Sequence, residues 1–238
     1  QRRQVFPRFH QLRTVRALLR CSREEGVGRR YLIQHSAGSG KSNTIAWLAH
    51  QLVELGSAAD PLQAQFDSVI VITDRRALDA QIARTIKSYD HVASVLGHSE
   101  NAQELRDYLH RGKKIIVTTV QKFPFILEEL GGLAGRKFAL LIDEAHSSQG
   151  GRTTAKMHQA LSGRSAEEAF EEDATQDTVN EAIEERIQSR RMLANASYFA
   201  FTATPKNKTL ELFGEKVVTG GEVRFSSPAE LTYTTKQA

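Results

Sequence analysis

The chain has 238 residues, of which 40% are hydrophobic and 25% are charged, and its formal net charge is +4. This composition suits an α/β protein with a buried core, and it excludes disordered, collagen-like and disulfide-rich classes. No apolar run approaches the roughly 20 residues of a membrane helix, and the single Cys21 has no partner for an internal disulfide, so we expect a soluble, cytoplasmic protein with no membrane partner.

The charge is distributed unevenly along the chain. Residues 1–30 carry nine Arg against Glu24 and Glu25, whereas residues 165–189 carry nine carboxylates against Arg186. A basic leading segment permits contacts with nucleic-acid phosphates, although a basic charge is also common among proteins that bind no nucleic acid. We expect the acidic stretch to form a solvated helix face.

Short apolar runs alternate with helix-like stretches, which predicts a parallel sheet with crossover helices. The expected strands are residues 31–34, 69–73, 92–96, 114–118, 138–142 and 198–202. The expected helices are residues 42–55, 76–88, 100–110 and 121–130. A less apolar insertion of helical composition, from about residue 150 to 195, separates the fifth strand from the sixth.

A phosphate-binding loop is predicted where the first strand meets the first of these helices. The run His35-Ser36-Ala37-Gly38-Ser39-Gly40-Lys41-Ser42 places glycines where backbone amides must curl around phosphate oxygens. Lys41 would neutralise the β- and γ-phosphates of ATP, and the Ser42 hydroxyl would bind Mg²⁺. His35 departs from the glycine that the P-loop pattern has at this position, and we expect it to pack within the loop. The alternative is a chance Gly-Ser-Gly turn before a helix.

A second candidate site follows the apolar run FALLI, which ends in Asp143-Glu144-Ala145-His146. These residues would emerge at the carboxyl edge of the sheet, where open α/β folds bind ligands and where the phosphate loop also lies. Asp143 can hold Mg²⁺, and Glu144 is placed to deprotonate the attacking water. The alternative is two solvated carboxylates that cap the next helix.

A third loop would reach the same edge after the apolar strand at 198–202. It contains Thr202-Ala203-Thr204-Pro205, whose hydroxyl groups can hydrogen-bond to the acidic loop and respond to bound phosphate. We assign a coupling role to Thr202 and Thr204, together with His146. In isolation, this segment would be read as a strand end followed by a turn.

The three segments AGSGKS, DEAH and FTATP, in this order, resemble motifs I, II and III of the first RecA-like domain of superfamily 2 helicases and translocases. The resemblance implies that Gln11 reads adenine, and that residues around the phosphate loop, including Asn43, bind ATP. It also implies contacts with the sugar-phosphate backbone of DNA from two further segments, Thr73-Asp74-Arg75 and Thr118-Thr119-Val120-Gln121. Ordinary hydrogen bonding at a strand end is the alternative for each threonine.

The sequence around these motifs, from about residue 6 to 215, is similar to the motor portion of the restriction subunit of type I restriction enzymes. The segments that carry this resemblance are FHQLRTV, QHSAGSGKS, VITDRRALDAQI, TTVQKF, LLIDEAHSSQGG and FAFTATPKNKTLELFG. It implies an ATPase that moves duplex DNA, in a complex with separate specificity and methyltransferase subunits.

The resemblance also implies a domain organisation. Residues 1–30 would be a basic lead, residues 31–225 a RecA-like ATP-binding domain that includes the insertion, and residues 226–238 the start of a linker towards a second RecA-like domain. That second domain would supply an arginine finger, so we expect weak or no activity from this stretch alone. Neither Glu-x-Lys nor Gln-x-Lys, the tripeptides of the subunit's nuclease site, occurs in the sequence.

Two other functions stay open at this stage. One is a different superfamily 2 motor, such as a repair helicase or a DEAH-type RNA helicase, because no residue pattern here separates DNA from RNA. The other is a non-catalytic module that binds nucleotide or DNA without turnover. The presence of Glu144 argues against that module for the complete protein.

Overall fold

The computed structural model describes residues 6–73, 96–99, 101–143, 193–219 and 222–234. Their main feature is a seven-stranded parallel sheet in the order β3-β4-β2-β5-β6-β1-β9. Its strands are β1 (Arg30–His35), β2 (Ser68–Thr73), β3 (Leu96–His98), β4 (Ile115–Thr119), β5 (Phe138–Ile142), β6 (Ala196–Thr202) and β9 (Thr232–Tyr233). A separate antiparallel hairpin consists of β7 (Glu215–Thr219) and β8 (Glu222–Ser226).

The central strands form because their residues are apolar, many of them β-branched, and buried on both faces, as a parallel sheet requires. Every residue of β2, β4, β5 and β6 is buried. The helices are α1 (Phe9–Glu25), α2 (Lys41–Val53), α3 (Ala102–His110), α4 (Phe123–Gly132) and α5 (Asn207–Phe213), with 3₁₀ turns at Val120–Lys122 and Ala229–Leu231.

The helices cover both faces of the sheet. Helices α1 and α2 pack on the face that contains Ile33, Val71 and Phe199, and they form one apolar core. Helices α3, α4 and α5 pack on the opposite face around Leu140 and Tyr198. The result is an α/β fold with a parallel sheet flanked by helices, as the sequence predicts. In the part of the chain that the structure describes, no helix has the length and apolarity to cross a membrane.

The predicted elements agree closely with the structure where the two can be compared. Strand β5 has the predicted bounds, and β1, β2, β4, β6, α2, α3 and α4 differ from theirs by at most two residues at either end. The expected strand 92–96 overlaps the described residues only at Leu96, where β3 begins. The predicted helix at 76–88 lies outside the described residues, as does the insertion as far as residue 192.

Two terminal segments of the chain join this fold. Helix α1, in the basic lead, buries Val15, Ala17 and Leu18 in the core. Strand β9 lies in the range that the sequence assigns to a linker, yet it pairs with β1 through Gln34 and His35. Both ends of the described chain therefore reach the strand that leads into the predicted phosphate loop.

Candidate active site

The phosphate loop connects the end of β1 at His35 to the start of α2 at Lys41. Gly38 and Gly40 have φ values of 76° and 84°, in the left-handed region that favours glycine. A Cβ at Gly38 would meet no described atom within 4 Å, whereas a Cβ at Gly40 would lie 2.5 Å from Gln11 Nε2. The loop therefore needs glycine at 40 both for its backbone angle and for its close contact with α1.

The amino end of α2 is suited to an anion. Gly40 is its N-cap residue, no described side chain caps it, and its first turn contains no acidic residue. The positive end of the helix dipole and the first amides of the helix can therefore bind a phosphate group. Lys41 is buried, with Nζ 3.5 Å from the His35 carbonyl, while Ser42 and Asn43 are half-buried in the first turn.

The loop between these elements contains both exposed and buried groups. Ala37 and Gly38 are exposed and Ser36 is half-buried. Ser39 is buried, and its hydroxyl has no hydrogen-bond partner among the described residues. A buried polar group without a partner costs free energy, so this hydroxyl is available to a bound ligand.

Gln11 is attached to the phosphate loop from α1. Its Nε2 donates to the Gly40 carbonyl at 3.0 Å and to the Ser39 carbonyl at 3.3 Å, and its Oε1 accepts from the Arg8 amide at 2.8 Å. The side chain thus holds the loop and caps α1 at the same time. Its contact with adenine stays a prediction.

His35 packs beneath the loop, as the sequence predicts. Its side chain is fully buried, and Nε2 lies 3.0 Å from Thr14 Oγ1. Burial lowers the pKa of His35 to about 4, with smaller contributions from His10 and Lys41. The ring is therefore neutral at physiological pH and adds no charge next to Lys41.

Two residues beside the loop were missed by the sequence analysis. His10 Nε2 lies 3.0 Å from the Ser39 carbonyl, and the His10 ring stacks on Tyr233 with 3.7 Å between ring centroids. The Tyr233 carbonyl accepts a hydrogen bond from the Ser36 amide at 3.0 Å. The position of His10, immediately before Gln11, was the available signal, whereas nothing local to Tyr233 indicates its partner.

Asp143 lies at the same edge of the sheet as the phosphate loop. It follows β5 directly, is buried, and its amide donates to the Ile72 carbonyl at 2.9 Å. Strand β6 separates β5 from β1, so the backbones of the acidic strand and the loop strand are roughly 10 Å apart. Glu144 and His146 lie outside the described residues.

Thr202 lies between these two features along the edge. It is the buried last residue of β6, it pairs with Gln34 of β1, and its Oγ1 accepts a hydrogen bond from the Thr204 amide at 3.2 Å. Thr204 itself is exposed. The structure therefore brings the third predicted loop to the space between the phosphate loop and Asp143.

The predicted DNA-contact residues lie on the other half of the edge, at the ends of β2 and β4. Thr73 pairs with Thr119, and the Thr119 hydroxyl accepts a hydrogen bond from Lys122 Nζ at 3.4 Å. The hydroxyls of Thr73 and Thr118 are buried and have no partner among the described residues. Arg75 and the side chain of Gln121 lie outside what the structure describes.

The residues present fit a magnesium nucleotide. Ser42 offers a hydroxyl in the first turn of α2, and Asp143 offers a buried carboxylate at the same edge. Mg²⁺ prefers such oxygen ligands and is commonly held by one or two protein groups together with phosphates. A cage made only of protein ligands is not required, and the described residues contain no group of three or more His, Cys, Asp or Glu that could hold a metal.

Comparison with known proteins agrees with this geometry. The family model of the SWI2/SNF2 ATPase matches residues 10–220. The type I restriction enzyme HindI endonuclease subunit of Haemophilus influenzae is 29% identical over 204 residues, which cover 82% of this chain and 17% of that protein. The SsaAORF53P endonuclease subunit of Staphylococcus saprophyticus is 27% identical over 203 residues, covering 84% and 17%.

Among solved structures, a nuclease-deletion mutant of the Type ISP restriction-modification enzyme LlaGI in complex with a DNA substrate mimic is 13% identical, with a TM-score of 0.48. The similarity covers 86% of this chain and 18% of that one. The chain thus spans about a sixth of the length of the curated relatives it matches. Because the family model covers most of the chain, including the phosphate loop, Asp143 and Thr202, this chain belongs to the SWI2/SNF2 ATPase family.

Proposed function

We propose that this chain is the ATP-binding motor domain of a DNA-translocating ATPase, and that the protein is the restriction subunit of a type I restriction enzyme. One observation carries the proposal: the phosphate loop and Asp143 share the carboxyl edge of one sheet, with Thr202 between them. Family membership and curated relatives named as type I endonuclease subunits support it.

In the proposed reaction, the loop amides and the Lys41 ammonium bind the β- and γ-phosphates of ATP. Ser42 and Asp143 would hold Mg²⁺, which would neutralise charge on the phosphate oxygens. The carboxylate of Glu144 accepts a proton from water while the water oxygen bonds to the γ-phosphorus and the bond to the bridging oxygen breaks. ADP and inorganic phosphate are the products.

The proposed coupling uses the rest of the edge. Thr202 and Thr204, with His146, respond to the loss of the γ-phosphate, and a second RecA-like domain of the full-length protein supplies an arginine. The proposed contacts with the DNA backbone come from Thr73, Arg75, Thr118, Thr119 and Gln121. Such contacts position a duplex without reading its sequence. A separate specificity subunit would therefore recognise the target, in a complex that also contains a methyltransferase subunit. The proposed location is the cytoplasm.

Three substitutions in the full-length protein test the ATP site. We expect Lys41→Ala to abolish nucleotide binding and Glu144→Gln to keep binding while it stops turnover. Lys216→Ala removes the same charge from the exposed hairpin strand β7 and serves as the matched control, with binding and turnover unchanged. Nucleotide titration and steady-state phosphate release measure the two properties.

The outcomes separate the candidate functions. Normal hydrolysis by Glu144→Gln would remove Glu144 as the base. A full-length protein that binds ATP through Lys41 and shows no turnover under any condition would be a nucleotide-binding module.

A further inference from the structure

A segment near the end of the described chain, residues 228–234, joins α1 to the phosphate loop; we call it the clasp. Leu231 of the clasp is buried in the core beside α1, and Glu230 accepts two hydrogen bonds from Arg20 at 2.9 and 3.0 Å. The clasp then enters the sheet as β9, where Tyr233 lies opposite His35. It is therefore attached along α1 and reaches the first residues of the loop.

Tyr233 is linked to the loop in two ways, directly through its backbone carbonyl and indirectly through the ring of His10. Its carbonyl accepts the hydrogen bond of the Ser36 amide, and its ring lies parallel to that of His10, with an angle of 7° between the ring planes. His10 Nε2 in turn lies 3.0 Å from the Ser39 carbonyl. Because a carbonyl oxygen only accepts hydrogen bonds, Nε2 of His10 must carry the proton. The second link therefore depends on the orientation of the His10 ring.

The stacked ring of Tyr233 fixes that orientation. It covers one face of His10, and the His35 ring meets His10 edge-on with 5.4 Å between centroids. A ring held between these two neighbours keeps its Nε2–H directed at Ser39. Without the flat surface of Tyr233, His10 could rotate about its side-chain bonds and lose the hydrogen bond.

The direction of the Ser39 carbonyl sets the direction of the Gly40 amide, because the peptide between the two residues is planar. In a trans peptide the C=O of Ser39 and the N–H of Gly40 point in opposite directions. When His10 and Gln11 hold the Ser39 oxygen on the side of α1, the Gly40 amide is turned towards the other side of the loop. An amide there can donate to a phosphate oxygen.

We propose that His10 and Tyr233 are positioning residues for the phosphate loop, which they hold with the Gly40 amide ready for a nucleotide phosphate. This inference rests on the proposed binding of ATP at the loop. It makes the clasp part of the nucleotide site, although neither side chain is required to touch the nucleotide.

The test measures the dissociation constant of Mg·ATP. All variants are made in the full-length protein that carries Glu144→Gln, which prevents turnover during the measurement and serves as the parent. Tyr233→Phe keeps the stacked ring and should bind like the parent. Tyr233→Ala keeps the backbone carbonyl but loses the ring, and His10→Phe keeps the stack but loses the donor. Each should weaken binding about 3- to 10-fold. Tyr108→Ala, in α3 on the opposite face of the sheet, is the matched control and should have no effect.

The double variant separates positioning from a general loss of structure. Once His10→Phe has removed the donor, the further change Tyr233→Ala should weaken binding less than it does alone, because both act through the same hydrogen bond. Unfolding midpoints are measured for every variant, and His10→Phe keeps the test open if Tyr233→Ala does not fold.

Two results would overturn the inference. One is equal affinity of Tyr233→Ala and the parent for Mg·ATP. The other is full additivity in the double variant. Failure of the parent protein itself to bind Mg·ATP is a different outcome, which removes the proposed function and this inference with it.

Discussion

Gly38 and Gly40 of the phosphate loop share a left-handed backbone but differ in what surrounds them. A Cβ at Gly38 meets no atom of the described residues within 4 Å, whereas a Cβ at Gly40 meets the Gln11 amide nitrogen at 2.5 Å. Gly38→Ala should therefore cost only the strain of the backbone, about 1–2 kcal/mol. Gly40→Ala should cost roughly 2–4 kcal/mol, because it also displaces Gln11 from its hydrogen bonds. Denaturant unfolding of both variants checks the difference, and equal losses would contradict it.

His35 makes stability depend on pH. Burial lowers its pKa from 6.5 to about 4 in the folded protein, so between these pH values the unfolded chain binds more protons. The free energy of unfolding contributed by this residue should therefore fall as the pH drops from 6.5 towards 4, by up to about 3 kcal/mol.

The comparison of wild-type protein with His35→Asn isolates this contribution, since all other titrating groups are shared. Urea unfolding at pH 7 and pH 4.5 should show a smaller loss of stability in His35→Asn than in the wild type. Identical pH dependence of the two proteins would mean that His35 is not held neutral by its surroundings.

At the scale of elements, α1 belongs to the domain and is more than a basic lead. Leu18 is fully buried between α1 and the sheet, and the same helix carries His10 and Gln11 to the loop. We expect Leu18→Ala to reduce the free energy of unfolding by about 2–5 kcal/mol. Leu62→Ala, at a position that is 97% exposed, should change it by less than about 0.5 kcal/mol. Chemical denaturation measures both, and a similar small change in the two variants would show that α1 packs loosely.

The elements also show what the sequence can predict. Strands such as β5 are uninterrupted apolar runs, so their burial is visible in the local sequence, and their bounds were predicted to within two residues. The placement of Gly38, Gly40 and Lys41 followed from the loop pattern alone. Strand β9 has two residues, and its partner β1 is about two hundred residues earlier in the chain. No local pattern encodes such a pairing, so the stack of Tyr233 on His10 could not be predicted.

At the scale of the whole molecule, the sheet order divides one edge into two halves with different proposed roles. Strands β5, β6, β1 and β9 carry or lead to the residues proposed to act at the nucleotide site, whereas β2 and β4 carry the threonines proposed to contact DNA. Strand β5 pairs with both β2 and β6, so Asp143 follows the strand that joins the halves. In the proposed motor, this adjacency lets a change at the γ-phosphate reach the DNA contacts through a rigid sheet.

The most direct measurement is the ATP hydrolysis rate of the full-length protein with and without linear duplex DNA, at one fixed salt concentration because phosphate contacts depend strongly on salt. The same measurement is made with an equal mass of RNA, and Lys41→Ala gives the background rate of hydrolysis. We predict that duplex DNA raises the rate several-fold and that RNA does not. A rate that is unchanged by duplex DNA, or raised only by RNA, would contradict a DNA-translocating motor.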